Sequence, residues 1–226
     1  MRIVCVGDVH GCSGTLSNLL TSGINLKKRD KLVFLGDYID RGPDSKGVID
    51  IILDLTKNNY DVTCLLGNHD EMFMEGDQDD DIFLHWFRNC GGFETLVSFG
   101  VRSFTELKEE YQYFFKTLLH YKVIQKKVIA VHAGLNFSRA DIFEDKYSLL
   151  WQREMTIDYS KLGDRVIVHG HTPQPYNSTE LQLQQIGINK IINIDNGCVF
   201  NQNGNLGRLT AVDLTNGELY SVQNVD

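Results

Sequence analysis

Residues 33–43 read V-F-L-G-D-Y-I-D-R-G-P: an apolar run stops at Gly36, and Asp37, Asp40 and Arg41 follow within five residues. An aliphatic run closed by glycine reads as a buried strand. Charges of both signs gathered at its tip imply chemistry there. The same event recurs along the chain. Residues 3–8, I-V-C-V-G-D, end at Gly7 and Asp8, and residues 62–68, V-T-C-L-L-G-N, end at Gly67 and Asn68. Two later runs, V-I-A-V-H-A-G (128–134) and R-V-I-V-H-G-H-T (165–172), end at His132 and at His169 and His171. Asp8, Asp37 and Asn68 are spaced at about 30 residues, the length of a strand-helix-strand unit. Right-handed crossovers place the C-terminal ends of successive parallel strands on one sheet edge, where open α/β sheets bind ligands. Five of the seven histidines (His10, His69, His132, His169, His171) lie at or just beyond these tips, which argues against stray core histidines.

The intervening segments predict helices. Leu16, Leu19 and Leu20 follow the first strand, and Val48, Ile49, Ile52, Leu53 and Leu55 follow Pro43, which suits a first helical turn. A single domain spanning residues 1–226 is expected, with a helical insertion at 71–121. Within it, Ser103 and Glu106 form a capping-box pattern, and Leu107, Tyr111, Phe114, Phe115 and Leu118 form an apolar stripe that reads as core. The acidic run at 77–81 reads as a solvated loop without calcium-loop spacing. Beyond residue 190 short strands are predicted, with a hairpin at Asn216-Gly217.

A net charge of -8 argues against a duplex nucleic-acid partner, because such binding depends on basic residues neutralising phosphates. The five scattered cysteines, without a C-x-x-C pair, fit reduced thiols better than a disulfide framework. The N-terminal apolar run is too short for a signal peptide, and no run reaches the ~18 apolar residues of a membrane helix. These features predict a cytoplasmic protein with no membrane partner.

Carboxylate, imidazole and amide donors together suit manganese, iron or zinc, and the lack of thiolates in the set argues against a closed structural zinc site. Asp8 and His10 in D-V-H present two donors on one side of a pleat. Two cations about 3.5–4 Å apart activate a water and clamp the oxygens of an in-line phosphoryl displacement.

G-D-V-H-G (7–11), G-D-Y-I-D-R-G (36–42), G-N-H-D (67–70), H-A-G (132–134) and G-H-T (170–172), in this order, resemble the calcineurin-like metallophosphoesterases, and within them the phosphoprotein phosphatase family. The resemblance implies an α/β fold of four layers, two mixed β-sheets packed as a sandwich flanked by helices. It implies two divalent metal ions, manganese first and iron or zinc next. Asp8 and His10 would bind one ion, Asp37 would bridge, and Asn68, His132 and His171 would bind the other. His69, paired with Asp40, would be the general acid, with Arg41 and Arg153 holding phosphate oxygens. His171 is preferred over His169 as a ligand, with His169 its neighbour.

The function implied is a metal-dependent phosphomonoesterase of the serine/threonine protein phosphatase type, of the compact bacterial and phage kind, acting through a metal-bridging hydroxide on a phosphorylated protein or small phosphoester. The rival is symmetrical diadenosine tetraphosphate hydrolysis, whose enzymes resemble this chain in the same motifs. A third reading, an idle metal-binding interaction module, does not require His69, Asp40 or Arg41. Ile194-Asp195-Asn196-Gly197 stands where related chains often have I-D-T-G, a departure that touches local packing.

Overall fold

The computed structural model describes residues 1–201 and 204–226. Its strands are β1 (Ile3–Val6), β2 (Lys31–Phe34), β3 (Asp61–Cys64), β4 (Tyr121–Ile124), β5 (Val128–Val131), β6 (Val166–His169), β7 (Ile191–Asn193), β8 (Asp195–Asn196), β9 (Arg208–Asp213) and β10 (Glu218–Gln223). One sheet has the order β10-β9-β1-β2-β3 with β8 also on β9; the other has the order β4-β5-β6-β7. In the first, β1, β2 and β3 are parallel and β9 runs against β1. In the second, β5, β6 and β7 are parallel and β4 is an antiparallel edge. Both sheets are therefore mixed.

The helices α1 (Ser13–Asn18), α2 (Ser45–Lys57), α3 (Asn68–Glu75), α4 (Asp80–His85), α5 (Gly92–Phe99) and α6 (Glu109–Lys116) precede β4. They are followed by α7 (Lys146–Trp151), α8 (Tyr159–Leu162), α9 (Tyr176–Gln184) and α10 (Ile186–Asn189).

Strand alternation explains why the apolar runs are continuous. Ile3, Cys5 and Val33 from one sheet meet Val128, Ala130, Val168 and Ile192 from the other in a shared core. The alternate residues Val4, Val6, Leu32, Phe34, Ile129, Val131 and Ile167 belong to a second core that also takes in the helices. A strand covered on both faces has no polar side, hence no polar alternation. Each aliphatic side chain so buried contributes about 1.5–3 kcal/mol. This is the sandwich expected from the motifs.

Helix α2 starts two residues later than its proline suggests. Asp44 is the cap, its carboxylate accepting from Gly47 N at 2.9 Å, and Pro43 lies before it. The capping-box pattern at Ser103 is not realised. Ser103 makes no side-chain cap bond, and Glu106 turns instead to the backbone and guanidinium of Arg102. The apolar stripe from Leu107 to Leu118 is buried as predicted, with α6 beginning only at Glu109. The acidic run is not a plain loop. Asp79 caps α4, and Asp77 accepts from the backbone of Phe104 and Thr105, because carboxylates satisfy the orphan N–H groups of helix starts. The β9–β10 hairpin turns at Asn216-Gly217, with Gly217 at φ +70. No described helix is long and apolar enough to cross a membrane.

Candidate active site

The tips of β1, β2, β3, β5 and β6 deliver the motif residues to one place. Asp37 sits in the middle, buried, with Oδ2 at 3.5 Å from His10 Nε2 and Oδ1 at 3.5 Å from His132 Nε2. One carboxylate thus faces two imidazoles, one per oxygen. The other nitrogen of each ring is engaged by backbone: His10 Nδ1 pairs with Ile39 O at 2.8 Å and His132 Nδ1 with Leu35 O at 2.9 Å. A carbonyl can only accept, so Nδ1 carries the proton and each Nε2 offers its lone pair. Asn68 Oδ1 lies 3.0 Å from His132 Nε2 and 2.9 Å from His171 Nδ1. Asp8 Oδ2 accepts from His171 N at 2.9 Å.

Whether these groups suit divalent cations can be tested on their unsatisfied atoms. Asp8 Oδ1 and His171 Nε2 are buried with no hydrogen-bond partner, a costly arrangement for polar atoms unless a ligand completes it. Two sets of side chains, His10 with Asp37 and His69, and Asp37 with His132 and His171, bring their donor atoms within 4.8 Å of one another. Asp37 is common to both. The donor set fits two cations sharing one carboxylate.

The electrostatics point the same way. Burial lowers His10 well below its usual range, aided by the Arg41 cation, and lowers His132 too. Burial takes His171 down to about 3 and His169 to about 4. All four rings are neutral near pH 7, the state in which an imidazole nitrogen can bind a cation. Burial drives Asp8 well up, reinforced by Asp195 and Asp37, and Asp195 itself rises to about 7 through burial and the charge of Asp37. Asp37 is held below the ordinary range: burial opposes this, but the imidazoles of His132, His69, His10 and His171 outweigh it. The result is an electronegative, desolvated pocket that favours cations.

His69 stands beside His10, ring centroids 4.7 Å apart. Its Nδ1 meets Asp40 Oδ2 at 2.6 Å, and its Nε2 accepts from Arg41 Nη2 at 2.8 Å. Arg41 Nη1 also donates to His10 Nε2 at 2.7 Å. Arg153 is apart from this group. It is exposed on the rim, close enough for its charge to bear on His171. His169 likewise lies outside the donor sets, its Nδ1 at 3.2 Å from Gly170 O.

Several residues emerge only here. Trp86 Nε1 donates to Asp40 Oδ2 at 2.7 Å and Thr95 Oγ1 to Asp40 Oδ1 at 2.6 Å, so the carboxylate facing His69 is held on both oxygens. Asp70 Oδ2 accepts from Asp37 N and Gly67 N, and its Oδ1 from Tyr38 N, tying two strand tips together. Asp70 was visible in G-N-H-D, and Asp195 in I-D-N-G. Asn196, the departing residue in I-D-N-G, donates locally to Gln174 O and Thr179 Oγ1 at 2.9 Å, while the charge of Asp195 bears on Asp8. Trp86 and Thr95 had no sequence signal beyond helix core. Five site residues, His10, Asp37, Asp40, Arg41 and His171, adopt left-handed backbone at φ of 45 to 73, a strained conformation for non-glycine residues.

The calcineurin-like phosphoesterase family model matches residues 1–195. A protein named bis(5'-nucleosyl)-tetraphosphatase PrpE, asymmetrical, from Oceanobacillus iheyensis is 30% identical, the alignment covering 98% of this chain and 92% of that protein. A symmetrical bis(5'-nucleosyl)-tetraphosphatase from an Acidovorax strain is 41% identical, but over only 31% of this chain and 24% of its own. Among solved structures, a protein serine/threonine phosphatase from Saccharomyces cerevisiae superposes with a TM-score of 0.67 at 18% identity, covering 100% of this chain and 81% of the yeast chain. That likeness is one of fold. On the family match and the full-length relative, the chain belongs to the calcineurin-like phosphoesterases.

Proposed function

We propose that the chain is a metal-dependent hydrolase of dinucleoside tetraphosphates, cutting asymmetrically to a nucleoside triphosphate and a nucleoside monophosphate. The observation that carries the phosphoester chemistry is Asp37, whose two oxygens each face one imidazole at 3.5 Å. The substrate class follows the relative that aligns along 98% of this chain, in preference to the symmetrical one that aligns along 31%. The serine/threonine phosphatase reading stands second. It is favoured by the His69–Asp40 pair, since an alkoxide leaving group needs protonation more than a phosphate does.

In this reading Asp8, His10 and Asp37 would hold one cation, and Asp37, Asn68, His132 and His171 the other, with manganese first and iron or zinc next. Bound there, divalent cations supply Lewis-acid chemistry, neutralising phosphate charge and acidifying water. The chain's own groups do the rest. Arg41 receives phosphate oxygens through its planar fork once a ligand competes for His10 Nε2. Arg153 adds a second cation at the rim. Water adds to phosphorus as the bond to the departing phosphate breaks and gives up a proton to solvent, while His69, oriented by Asp40 and protonated at Nε2 once Arg41 turns from it to the phosphate, delivers that proton to the departing oxygen.

The test is turnover with added manganese on diadenosine tetraphosphate, p-nitrophenyl phosphate and phosphoserine, phosphothreonine and phosphotyrosine peptides, with products separated by anion exchange. ATP and AMP are expected, with kcat/KM for the dinucleotide at least about tenfold above that for any peptide. Two equivalents of ADP would move the assignment to the symmetrical reaction. A peptide preference would restore the protein phosphatase, and no turnover of anything would leave the interaction module.

A further inference from the structure

The chain carries 30 acidic residues, yet a cleft of about 260 Å³ beside the site is lined by none of them. It lies against the second half of the cluster: Ala133, which follows His132, and Thr172, which follows His171, both line it. Arg153 also lines it, exposed and with no ion-pair partner among the described residues. We propose that this cleft is a nucleoside subsite, receiving one end of a dinucleoside polyphosphate while Arg153 holds the adjoining phosphate. The assignment rests on the proposed substrate class and extends it to named residues.

Three observations support it. The first is chemistry. Gln152 presents its amide carbonyl, Gln174 and Asn193 form an uncharged polar wall, and Met155 and Ile191 give apolar surface. A nucleoside needs that combination, with flat apolar ring faces, polar ring edges and ribose hydroxyls, and no net charge. The second is rigidity. Gln174 and Gln182 exchange amide hydrogen bonds at 3.2 and 3.1 Å, and Asn193 is locked between Thr172 O at 2.8 Å and Asp195 N at 2.9 Å. A wall fixed before binding loses little entropy on binding. Gln152, at the mouth, spends its amide N–H on Glu154 O at 2.6 Å, and its carbonyl oxygen has no partner among the described residues.

The third is size. The volume of about 260 Å³ falls just under the roughly 300–1,000 Å³ of sites for drug-sized ligands. A space of that size matches a ligand fragment such as one end of a dinucleotide better than a whole drug-sized molecule. The cleft also gives a place to His169, which lines it instead of joining the donor sets.

The experiment plugs the cleft from two sides with Gln152→Trp and Met155→Trp, and measures KM and kcat on diadenosine tetraphosphate and on p-nitrophenyl phosphate, which has no nucleoside. The loss of kcat/KM on the dinucleotide should exceed that on p-nitrophenyl phosphate by at least about tenfold in both variants, chiefly through KM. Equal losses on the two substrates, or no loss on either, overturn the subsite and leave the proposed function standing. Wild-type protein that cleaves p-nitrophenyl phosphate but not the dinucleotide overturns both.

Discussion

Asp40 is buried in the structure and its carboxylate is shared among three donors, His69, Trp86 and Thr95. Burial raises its pKa, and those hydrogen bonds pull against the rise. Its negative charge at the back of His69 therefore depends on neighbours that touch no substrate. Trp86→Phe keeps most of the ring that stacks on Phe73 at 4.9 Å and deletes only the indole donor. A hydrogen bond to a charged group is worth about 1.5–3 kcal/mol, so kcat should fall roughly tenfold or more with KM nearly unchanged. Steady-state kinetics on a phosphoserine peptide, whose alkoxide must be protonated to leave, check this; p-nitrophenyl phosphate, whose leaving group needs little protonation, should lose much less, and equal losses on the two would count against Asp40 acting through His69. Among residues, the donor groups gathered around Asp37 lie within short motifs and were legible there. Trp86 and Thr95 are 46 and 55 positions from Asp40, so nothing local marked them.

At the scale of elements, the strand tips must turn sharply to aim polar groups inward, and the backbone is built for it. Gly36 ends β2 at φ +106, and a Cβ there would lie 2.6 Å from Gly67 N. Two tips thus touch through bare backbone. Gly170 plays the corresponding part for β6, where a Cβ would lie 2.1 Å from Asp8 Oδ1. Gly36→Ala combines a left-handed strain with a backbone clash and should cost about 3 kcal/mol or more. The urea midpoint measures it, and a shift below about 1 kcal/mol would mean the tips can move apart. The helical segment from α3 to α6 shows what element-level pattern leaves out. Its apolar stripe marked it as core, whereas the structure also uses it to carry Trp86 and Thr95 to Asp40.

For the whole molecule, a buried excess of carboxylate makes cation binding a competition with protons. Asp195 sits at about 7 and Asp8 is raised well above its usual value, each first by burial. A carboxyl with a raised pKa is protonated below it, and a cation favours the ionised form. Affinity is therefore present above about pH 7 and is lost as pH falls through it. Manganese should bind at least about tenfold more tightly at pH 8 than at pH 5.5, with proton release. Calorimetry in buffers of different ionisation enthalpy tests both, and a pH-independent affinity would mean these carboxyls are ionised throughout. A cation that binds only the folded chain should also raise the unfolding temperature, more so at the higher pH.

Sequence alone determined the strand runs, their order, and the donor types at their tips. Each of these is written in a few consecutive residues, and burial on both faces of a strand leaves an unbroken apolar run. Tertiary structure decided what requires distant segments to meet. It placed Asp37 between His10 and His132, gave Asp40 its partners, brought Asp195 near Asp8, and opened the carboxylate-free cleft at Arg153. Hydrogen bonds, desolvation and cavities act through space, so residues that share them need share no pattern along the chain.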